Sequence, residues 1–456
     1  MRKDTIAAIS TSGGVGAIGM VRLSGAGAIE AASSVFRPRN PARVLSGLGG
    51  YSGVLGRVFD GETAIDDAVA FIYRAPHSYT GEDVVELCCH GGAFAVRKTL
   101  RLCLDAGARP GQPGEFTRRA FLAGKLDLSQ AEAVMDLISA HGESAMRAAL
   151  AARDGALARE TERLSAKLLA ESAHIAAWSD YPEEDLAPVD AAALFVSLTE
   201  IRAGIGELLS TGDRGRIIRE GAATAILGKP NVGKSALMNL LAGQERSIVT
   251  EIPGTTRDIV QDTVSIGGLA LNLLDTAGIR QTCDIVEREG VNRSLRQLET
   301  ADLILAVFDS SGALDGSDRE LLGLLAGKNC IAVLNKADLP PAIDKDEIAA
   351  AIPRLATLSA QTGEGRGQLE ELVAEALNLT NLDPDAAMLA NERQRACAAG
   401  AASALDDALE ALAAHQTLDA VGVCIDTALD SLLAITGRRA SEAVADEVFA
   451  RFCVGK

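Results

Sequence analysis

Aromatic residues are scarce in this chain. They make up 3% of its 456 residues, although 48% of the residues are hydrophobic. The hydrophobic cores must therefore be built from Leu, Ile, Val and Ala. A chain of this length is too long for one average domain, and we expect two or three.

The sequence also lacks an excess of basic residues. It has 44 Lys and Arg against 62 Asp and Glu, which gives a formal net charge of −18. Such a surface repels nucleic acid on average, so any contact with RNA needs a local basic patch. Candidates for that patch are Arg37, Arg39, Arg43, Arg118 and Arg119, although each is more simply explained as ordinary surface charge.

Paired cysteines and long apolar runs are missing as well. None of the eight cysteines forms a C-x-x-C pair, which excludes a zinc ribbon and a thioredoxin motif. We expect reduced thiols. Apolar runs such as residues 303–308 are too short to span a bilayer. The glycine-interrupted N-terminus predicts a strand, a turn and a strand rather than a signal peptide. We therefore expect a soluble, cytoplasmic protein without membrane contact.

The hydrophobic pattern predicts three domains, one of them inserted in another. Residues 1–125 mix short strand and helix signals, which predicts an α+β domain. Residues 126–220 and 381–456 are rich in Ala, Leu and Glu with helical periodicity, which predicts an all-α domain in two parts. Between them, residues 221–380 alternate apolar strands with helical stretches, which is typical of a parallel sheet wrapped by helices.

Two of the predicted helices have particular features that can be tested. One of them, which includes residues 164–178, carries four apolar residues on one face. The last is predicted over residues 441–452, with Ser441 as its N-cap. The apolar face of the first helix consists of Leu164, Leu168, Ile175 and Trp178.

A phosphate-binding loop is predicted at residues 228–235. Their sequence, GKPNVGKS, fits G-x-x-x-x-G-K-[ST] and lies between a predicted strand and a predicted helix. The glycines allow backbone N–H groups and the helix N-terminus to surround phosphate oxygens. We expect Lys234 to bind the β- and γ-phosphates and Ser235 to bind Mg²⁺.

Two further segments are typical of a GTPase switch. DTAG, at residues 275–278, ends a predicted strand, so that Asp275 would support the Mg²⁺ shell and the Gly278 N–H would sense the γ-phosphate. The loop 250–258, TEIPGTTRD, must offer a threonine to Mg²⁺, and Thr256 is the first candidate with Thr255 as the alternative.

The base-binding segments predict guanine. NKAD, at residues 335–338, ends a later strand, and its Asp338 can accept hydrogen bonds from N1–H and the 2-amino group of guanine. Adenine lacks this donor pair and would leave a buried carboxylate unpaired. SAQ, at residues 359–361, lies where a backbone N–H would meet guanine O6.

The motifs together define the expected GTP contacts. These are Asn231, Val232, Gly233, Lys234, Ser235, Ala236, Thr250, Glu251, Ile252, Pro253, Gly254, Thr255, Thr256, Asp275, Thr276, Ala277, Gly278, Asn335, Lys336, Asp338, Ser359 and Ala360.

The residue that usually orients the attacking water is absent. Many GTPases have a Gln directly after DTAG, whereas this chain has Ile279, which cannot hydrogen-bond. Another group must therefore position the water and offset the charge of the transition state. Glu287 is close in sequence, although an acidic residue in a helix is more often an ordinary solvated charge.

Taken together, these segments resemble the MnmE (TrmE) family of tRNA-modification GTPases. The resemblance rests on GKPNVGKS, IPGTTRD, DTAGIR with a following Glu, the inserted parallel-sheet domain and the CVGK tail. SYTGEDVVEL, RPGQPGEFTRRAF and GKLDLSQAEAV extend it over essentially the whole chain.

The resemblance implies a specific activity. A homodimer would form a heterotetramer with the FAD-dependent protein MnmG (GidA). Together they would install an aminomethyl or carboxymethylaminomethyl group at carbon 5 of the wobble uridine of tRNA. The carbon would come from 5-formyl- or methylene-tetrahydrofolate, which is bound by the N-terminal domain.

The resemblance also implies a potassium-dependent GTPase whose domains pair to become active. K⁺ would replace an arginine finger and offset negative charge near the phosphates. Its ligands would be Asn231, Thr250, Thr255 and the backbone of Ile252. The catalytic glutamate of the family corresponds to Glu287, acting on the attacking water through a second water.

For folate, the resemblance implies four residues with charged side chains. These are Arg22, Glu86, Lys125 and Lys456. Cations near the glutamyl carboxylates are electrostatically reasonable, and Glu86 could accept hydrogen bonds from the pterin N–H groups.

Cys453 allows three interpretations: a prenylation box, a frayed end, or a tail that folds back to do chemistry. Gly455 and Lys456 do not fit a prenylation box. An apolar helix face that ends at Phe452 favours the folded tail, which would bring Cys453 and Lys456 to the folate pocket. In the family this cysteine is needed for tRNA modification, either as a nucleophile or as a structural thiol.

Two other functions remain open from the residues alone. A ribosome-assembly GTPase would need a basic RNA-binding domain such as KH, whereas this chain is acidic and has the helical insertion. A folate-dependent one-carbon transferase that acts on something other than tRNA is the second alternative.

Overall fold

The computed structural model of the chain describes residues 4–180, 188–243, 263–274, 300–380 and 383–456. Contacts within the chain divide it into two compact units. The first combines Met1–Met135 with Leu429–Lys456, and the second is Asp136–Ala428.

The described elements include an uninterrupted run of helices between the strands of the two sheets. The helices are α1 (Ala28–Val35), α2 (Ala93–Asp105), α3 (Glu115–Leu122), α4 (Leu128–Ser139), α5 (Glu143–Arg153), α6 (Ala156–Asp180), α7 (Ala191–Ser210), α8 (Gly212–Glu220), α9 (Lys234–Ala242), α10 (Gly316–Leu325), α11 (Lys345–Ala351), α12 (Arg366–Ala376), α13 (Glu392–Ala413), α14 (Leu418–Ile435) and α15 (Glu442–Ala450). The strands are β1 (Ile6–Ile9), β2 (Ile18–Ser24), β3 (Phe36–Pro38), β4 (Ser52–Asp60), β5 (Thr63–Tyr73), β6 (Val84–His90), β7 (Arg109–Pro110), β8 (Ala222–Leu227), β9 (Thr263–Ile266), β10 (Leu269–Leu273), β11 (Leu303–Asp309), β12 (Cys330–Asn335) and β13 (Leu355–Thr357).

The first unit is built on a mainly antiparallel sheet. Its described strands follow the order β3-β4-β5-β6-β2-β1-β7, and only the β1–β7 pair is parallel. The predicted strand, turn and strand at the N-terminus are confirmed as β1 and β2. The side chains of β4 alternate between buried and exposed, as expected for a sheet with one covered face. Helices α1 and α2 contribute to the core on that face.

A small helical cluster completes the first unit. Residues of α15 pack against the start of α4 in a core that contains Leu128, Phe449 and Phe452. The predicted N-cap is confirmed, because the Ser441 side chain accepts a hydrogen bond from the Val444 N–H. The helix ends at Ala450, so the prediction that it reaches residue 452 is wrong. Phe452 stays buried in a turn after the helix.

The second unit contains a parallel-rich sheet with helices on both faces. Its described strands follow the order β13-β12-β11-β8-β10-β9, and only β9–β10 is antiparallel. Every residue of β12 is buried, as expected for a central parallel strand. One core includes residues of α9 and α12, and the other includes residues of α10 and α11. The carboxyl ends of β8, β11 and β12 lie at the same edge.

Several helices of the second unit, α5 to α8 and α13, lie in the ranges predicted to be all-α. Helix α7 packs against α6 and α13. Leu164, Leu168 and Ile175 of α6 are buried, as predicted. Trp178 lies in the same helix, as predicted, but it is 41% exposed, so the covered part of this face ends before it. Its large ring lies in the last turn of α6, where it is only partly covered.

Candidate functional site

The loop between β8 and α9 has a backbone that glycine makes possible. Gly228, Asn231 and Gly233 have φ angles of 148°, 65° and 98°. A Cβ at Gly233 would lie 2.1 Å from Nδ2 of Asn335, so no larger residue fits there without displacement. Positive φ angles at these positions curve the loop, and a curved loop can turn its backbone N–H groups toward a bound phosphate.

Lys234, the first residue of α9, extends its side chain back over this loop. Its Nζ donates hydrogen bonds of 2.6 Å to the carbonyl oxygens of Gly228 and Lys229. Burial lowers the pKa of the Lys234 ammonium. Ser235 is exposed in the first turn of α9. The ammonium is thus held by neutral acceptors that phosphate oxygens, being charged, can replace.

Asn335 connects three loops at the edge of the sheet. It is the last residue of β12 and is 2% exposed. Its Nδ2 donates to the carbonyl oxygen of Val232 over 2.8 Å, and its Oδ1 accepts from the Ala360 N–H over 2.9 Å. The side chain therefore fixes the phosphate-binding loop and the SAQ segment relative to the NKAD segment.

The other base-binding residues are held by polar contacts. Ser359 Oγ donates to Asp338 Oδ1 over 2.5 Å, which restrains the carboxylate. Asp338 is exposed in this structure, whereas the prediction of guanine assumed a buried carboxylate. Lys336 has a φ of 63° and its Nζ lies 2.5 Å from Asp309 Oδ2. Burial raises the pKa of Asp309, but the hydrogen bonds from Lys336 and Ser311 lower it by a larger amount. The pKa of Asp309 is therefore lowered overall.

Many of the residues predicted for GTP hydrolysis lie outside the described residues. This applies to the loop 250–258, to DTAG and to the two later residues considered for the attacking water. They are Thr250, Glu251, Ile252, Pro253, Gly254, Thr255, Thr256, Asp275, Thr276, Ala277, Gly278, Ile279 and Glu287.

The tail, residues 453–456, folds back onto the N-terminal sheet. Ser10 Oγ donates to the Gly455 carbonyl oxygen over 3.0 Å, and the Phe116 N–H donates to the Lys456 carbonyl oxygen over 3.1 Å. Gly455 has a φ of 96°, and a Cβ there would lie 2.2 Å from the carbonyl oxygen of Ile9. The tail is therefore seated between β1 and the start of α3.

Three of the predicted folate residues meet beside the tail. Arg22 and Glu86 form a half-buried ion pair of 2.9 Å. Arg22 also donates to the Gly455 carbonyl oxygen over 3.3 Å and lies 5.7 Å from the centroid of the Phe116 ring. Burial, and then the nearby Arg22 charge, lower the pKa of Lys456. Two cations and one carboxylate leave a net positive charge, which suits an anionic ligand.

The remaining residues predicted for this region have different environments. Cys453 is half-buried in the tail. Its carbonyl oxygen accepts from the Gly114 N–H over 3.3 Å. Lys125 is exposed, and its Cε would lie 3.6 Å from a Cβ added at Gly81.

Sequence reasoning missed the ion-pair network that fixes the start of α3. Arg119 bonds Asp4, Glu82 and Glu115 through its guanidinium. It is 9% exposed, so its suggested role as a surface contact for tRNA is wrong. Burial raises the pKa of Glu115, but hydrogen bonds from Arg109, the Gln112 N–H and Arg119 lower it to about 2. The i,i+4 spacing of Glu115 and Arg119 was the available signal.

Two features are missing from the part of the chain that the structure describes. No cluster of three or more His, Cys, Asp and Glu residues that could hold a metal ion occurs there. None of the described helices is both long enough and apolar enough to cross a membrane.

Comparisons with known proteins cover the whole chain. The model of the "GTP-binding protein TrmE N-terminus" matches residues 5–125, and that of the "MnmE helical domain" matches residues 128–453. A tRNA modification GTPase MnmE from Bacillus cereus is 41% identical over 100% of both chains. One from Geobacter sulfurreducens is 42% identical over 100% of this chain and 99% of its own. The G domain of the T. maritima FeoB iron transporter is 28% identical, covers 34% of this chain and 98% of its own, and has a TM-score of 0.26.

Proposed function

Because this chain belongs to the MnmE family of tRNA modification GTPases, we propose that its GTP hydrolysis serves the modification of carbon 5 of the wobble uridine. Membership already makes the chain a GTP hydrolase that acts in tRNA modification, rather than a ribosome-assembly switch. The finer reaction, an aminomethyl or carboxymethylaminomethyl transfer from a tetrahydrofolate derivative, is the proposal.

The phosphate-binding loop fits a nucleotide with Mg²⁺. Its glycines allow the close approach of Val307 and Asn335 that a Cβ would prevent, and Lys234 is held by carbonyl groups that phosphate can displace. Ser235 would ligate Mg²⁺ together with Thr256, which lies outside the described residues. The ion would neutralise phosphate charge, while Lys234 would hold the β- and γ-phosphates in place.

Guanine specificity would depend on Asp338 and its neighbours. The Ser359 hydroxyl orients the carboxylate, and Asn335 accepts a hydrogen bond from the Ala360 N–H, which holds the SAQ segment beside the NKAD segment. Binding of guanine would cover Asp338, so that a base without the matching donors would leave its charge unpaired.

Hydrolysis is proposed to require K⁺ and pairing of two GTPase domains. Asn231 is exposed on the loop, so its amide oxygen is accessible to a cation. The other proposed ligands, Thr250, Thr255 and the backbone of Ile252, lie outside the described residues. K⁺ would offset the negative charge that develops on the phosphates. Glu287 is proposed to orient the attacking water in the absence of a suitable Gln.

The observation that carries the folate proposal is the tail seated on Arg22. Arg22 and Lys456 provide positive charge for a glutamyl carboxylate, and the Phe116 ring borders the same group. Glu86 can accept from pterin N–H groups only by sharing its carboxylate with Arg22. Lys125 would contribute a more exposed cation. The half-buried Cys453 is proposed as a residue that the modification needs.

Two partners complete the proposal. The N-terminal domain would form a constitutive homodimer, and the dimer would join FAD-dependent MnmG in a heterotetramer. The flavin of that partner would supply the redox chemistry of the modification.

Nucleoside analysis of tRNA from a deletion strain tests the reaction. We expect wobble uridines without the carbon-5 substituent, and restoration by the wild-type chain but not by a Cys453→Ser variant. Normal wobble uridines in the deletion strain would contradict the proposed reaction.

A second assay tests the cation. GTP hydrolysis should be several-fold faster in K⁺ than in Na⁺, and equal rates would remove K⁺ from the proposal.

A further inference from the structure

Lys229, the second residue of the phosphate-binding loop, makes two ion pairs with acids outside that loop. Its Nζ lies 2.7 Å from Asp315 Oδ2 and 2.6 Å from Asp318 Oδ2. We propose that these three residues, the α10 clamp, position the phosphate-binding loop for nucleotide binding. Lys229 is then a positioning residue and not a ligand of the phosphates.

The acidic side of the α10 clamp is fixed independently of the lysine. Asp315 is the N-cap of α10, and its Oδ1 accepts from the backbone N–H groups of Ser317 and Asp318. Asp318 is 4% exposed, and its Oδ2 accepts in return from the Asp315 N–H over 3.1 Å. This reciprocal capping holds both carboxylates in one orientation. They form a rigid anchor to which the loop can attach.

Charge balance also directs Lys229 away from the phosphates. Hydrogen bonds to Asp315 and then Asp318 raise the pKa of Lys229, so the side chain stays charged. Two carboxylates already surround this single ammonium group. Transfer of the ammonium to a phosphate would leave the buried Asp318 carboxylate without its cation, which is costly.

The backbone of Lys229 connects the α10 clamp to the phosphate-binding loop. Its carbonyl oxygen accepts the 2.6 Å hydrogen bond from Lys234 Nζ. The side chain of Lys229 thus anchors a residue of the loop to α10, and this anchoring does not depend on the carbonyl contact that phosphate displaces. A loop that is already ordered loses less conformational entropy on binding, which increases affinity. The same reasoning applies to GDP and GTP.

The test is a comparison of nucleotide affinity with turnover in the full-length protein. For Lys229→Met we expect the Kd of GDP and the KM of GTP to rise roughly tenfold, with kcat at saturating GTP unchanged, since ground state and transition state lose the same binding energy. Lys229→Arg should restore most of the affinity, because a guanidinium can pair with both carboxylates. Asp315→Ser keeps an N-cap residue but removes one ion pair, and should raise Kd several-fold.

A neighbouring ion pair on the same helix provides the control. Glu347→Gln removes the exposed contact of 2.6 Å with Arg319 of α10, and should leave the Kd of GDP unchanged. Unchanged Kd values in both Lys229→Met and Asp315→Ser would overturn the clamp. A fall in kcat at saturating GTP with an unchanged Kd would also overturn it, because Lys229 would then act on the reacting phosphate. If Lys229→Met does not fold, Lys229→Arg and Asp315→Ser decide the question by the same Kd values.

Discussion

Truncation of Asn335 to Ala should weaken GDP binding roughly a hundredfold. The side chain satisfies the Val232 carbonyl oxygen and the Ala360 N–H, and the residue is 2% exposed. A buried polar group left without its partner costs about 1–3 kcal/mol. Water can enter a nucleotide-free site, so we take about 1.5 kcal/mol for each group. The sum, about 3 kcal/mol, corresponds to roughly a hundredfold change in Kd.

The assay is a titration of a fluorescent GDP analogue, with the unfolding midpoint measured in parallel. Asn329→Ala is a matched control, because the Asn329 side chain also bonds two backbone groups, the carbonyl oxygens of Asp302 and Ala376. Asn329 is exposed, however, and directly precedes β12, whereas Asn335 ends that strand. That variant should lose some stability and keep its GDP affinity. The reasoning is refuted if Asn335→Ala binds GDP within about threefold of the wild type.

Three further outcomes are expected. Gly455→Ala forces a Cβ to 2.2 Å from the Ile9 carbonyl oxygen and should displace the tail. Folate affinity should then fall at least about tenfold, while GTP hydrolysis by the purified variant stays unchanged. A loss of both would contradict the idea that folate and GTP bind at separate sites. The pKa of Glu115 is about 2 in the folded protein against an ordinary value of 4.5, so its contribution to stability is full above about pH 4.5 and is lost as pH falls toward 2. Glu115→Gln should therefore reduce the dependence of the free energy of unfolding on pH in that range, and an unchanged slope would count against the ion-pair network. Gly233→Ala should abolish GDP binding at concentrations that saturate the wild type, because its Cβ would lie 2.1 Å from Nδ2 of Asn335; retained binding would show that the loop can relax.

Much of the GTPase domain could be predicted because its strands are buried on both faces. The uninterrupted apolar runs at residues 303–308 and 330–334 match β11 and β12, and the NKAD motif begins at the end of β12. Strand ends in a parallel sheet meet at one edge, so the motif order alone brings the phosphate and base segments together. The contact from Asn335 to Val232 links distant parts of the chain, and no local pattern predicts it.

The N-terminal site was less predictable, because its contacts depend on sheet order. Arg22 of β2 lies directly opposite Glu86 of β6, and a shift of one residue would turn one of them to the other face of the sheet. Nothing in the spacing of the two residues indicates that register. The resemblance to a family supplied both positions, but not their ion pair.

The α10 clamp shows a similar limit. The sequence DGSD at residues 315–318 is a recognisable capping pattern. The periodic pattern does not indicate that Lys229, far earlier in the chain, pairs with both of its acids. Trp178 shows a different limit, since helical spacing predicted the apolar face of α6 but cannot say how far along the helix neighbouring elements cover that face.

The seating of the tail on β1 and α3 also constrains the order in which the protein can mature. The first and last segments of one unit are separated in the chain by the whole of Asp136–Ala428. At about 5–20 residues per second of synthesis, that stretch takes roughly 15–60 s to emerge. During this interval the nascent N-terminal sheet has no partner for Ser10 and Phe116, and Arg22 has no tail carbonyl group to bind. A newly made chain therefore forms these contacts only after residues 453–456 have been synthesised.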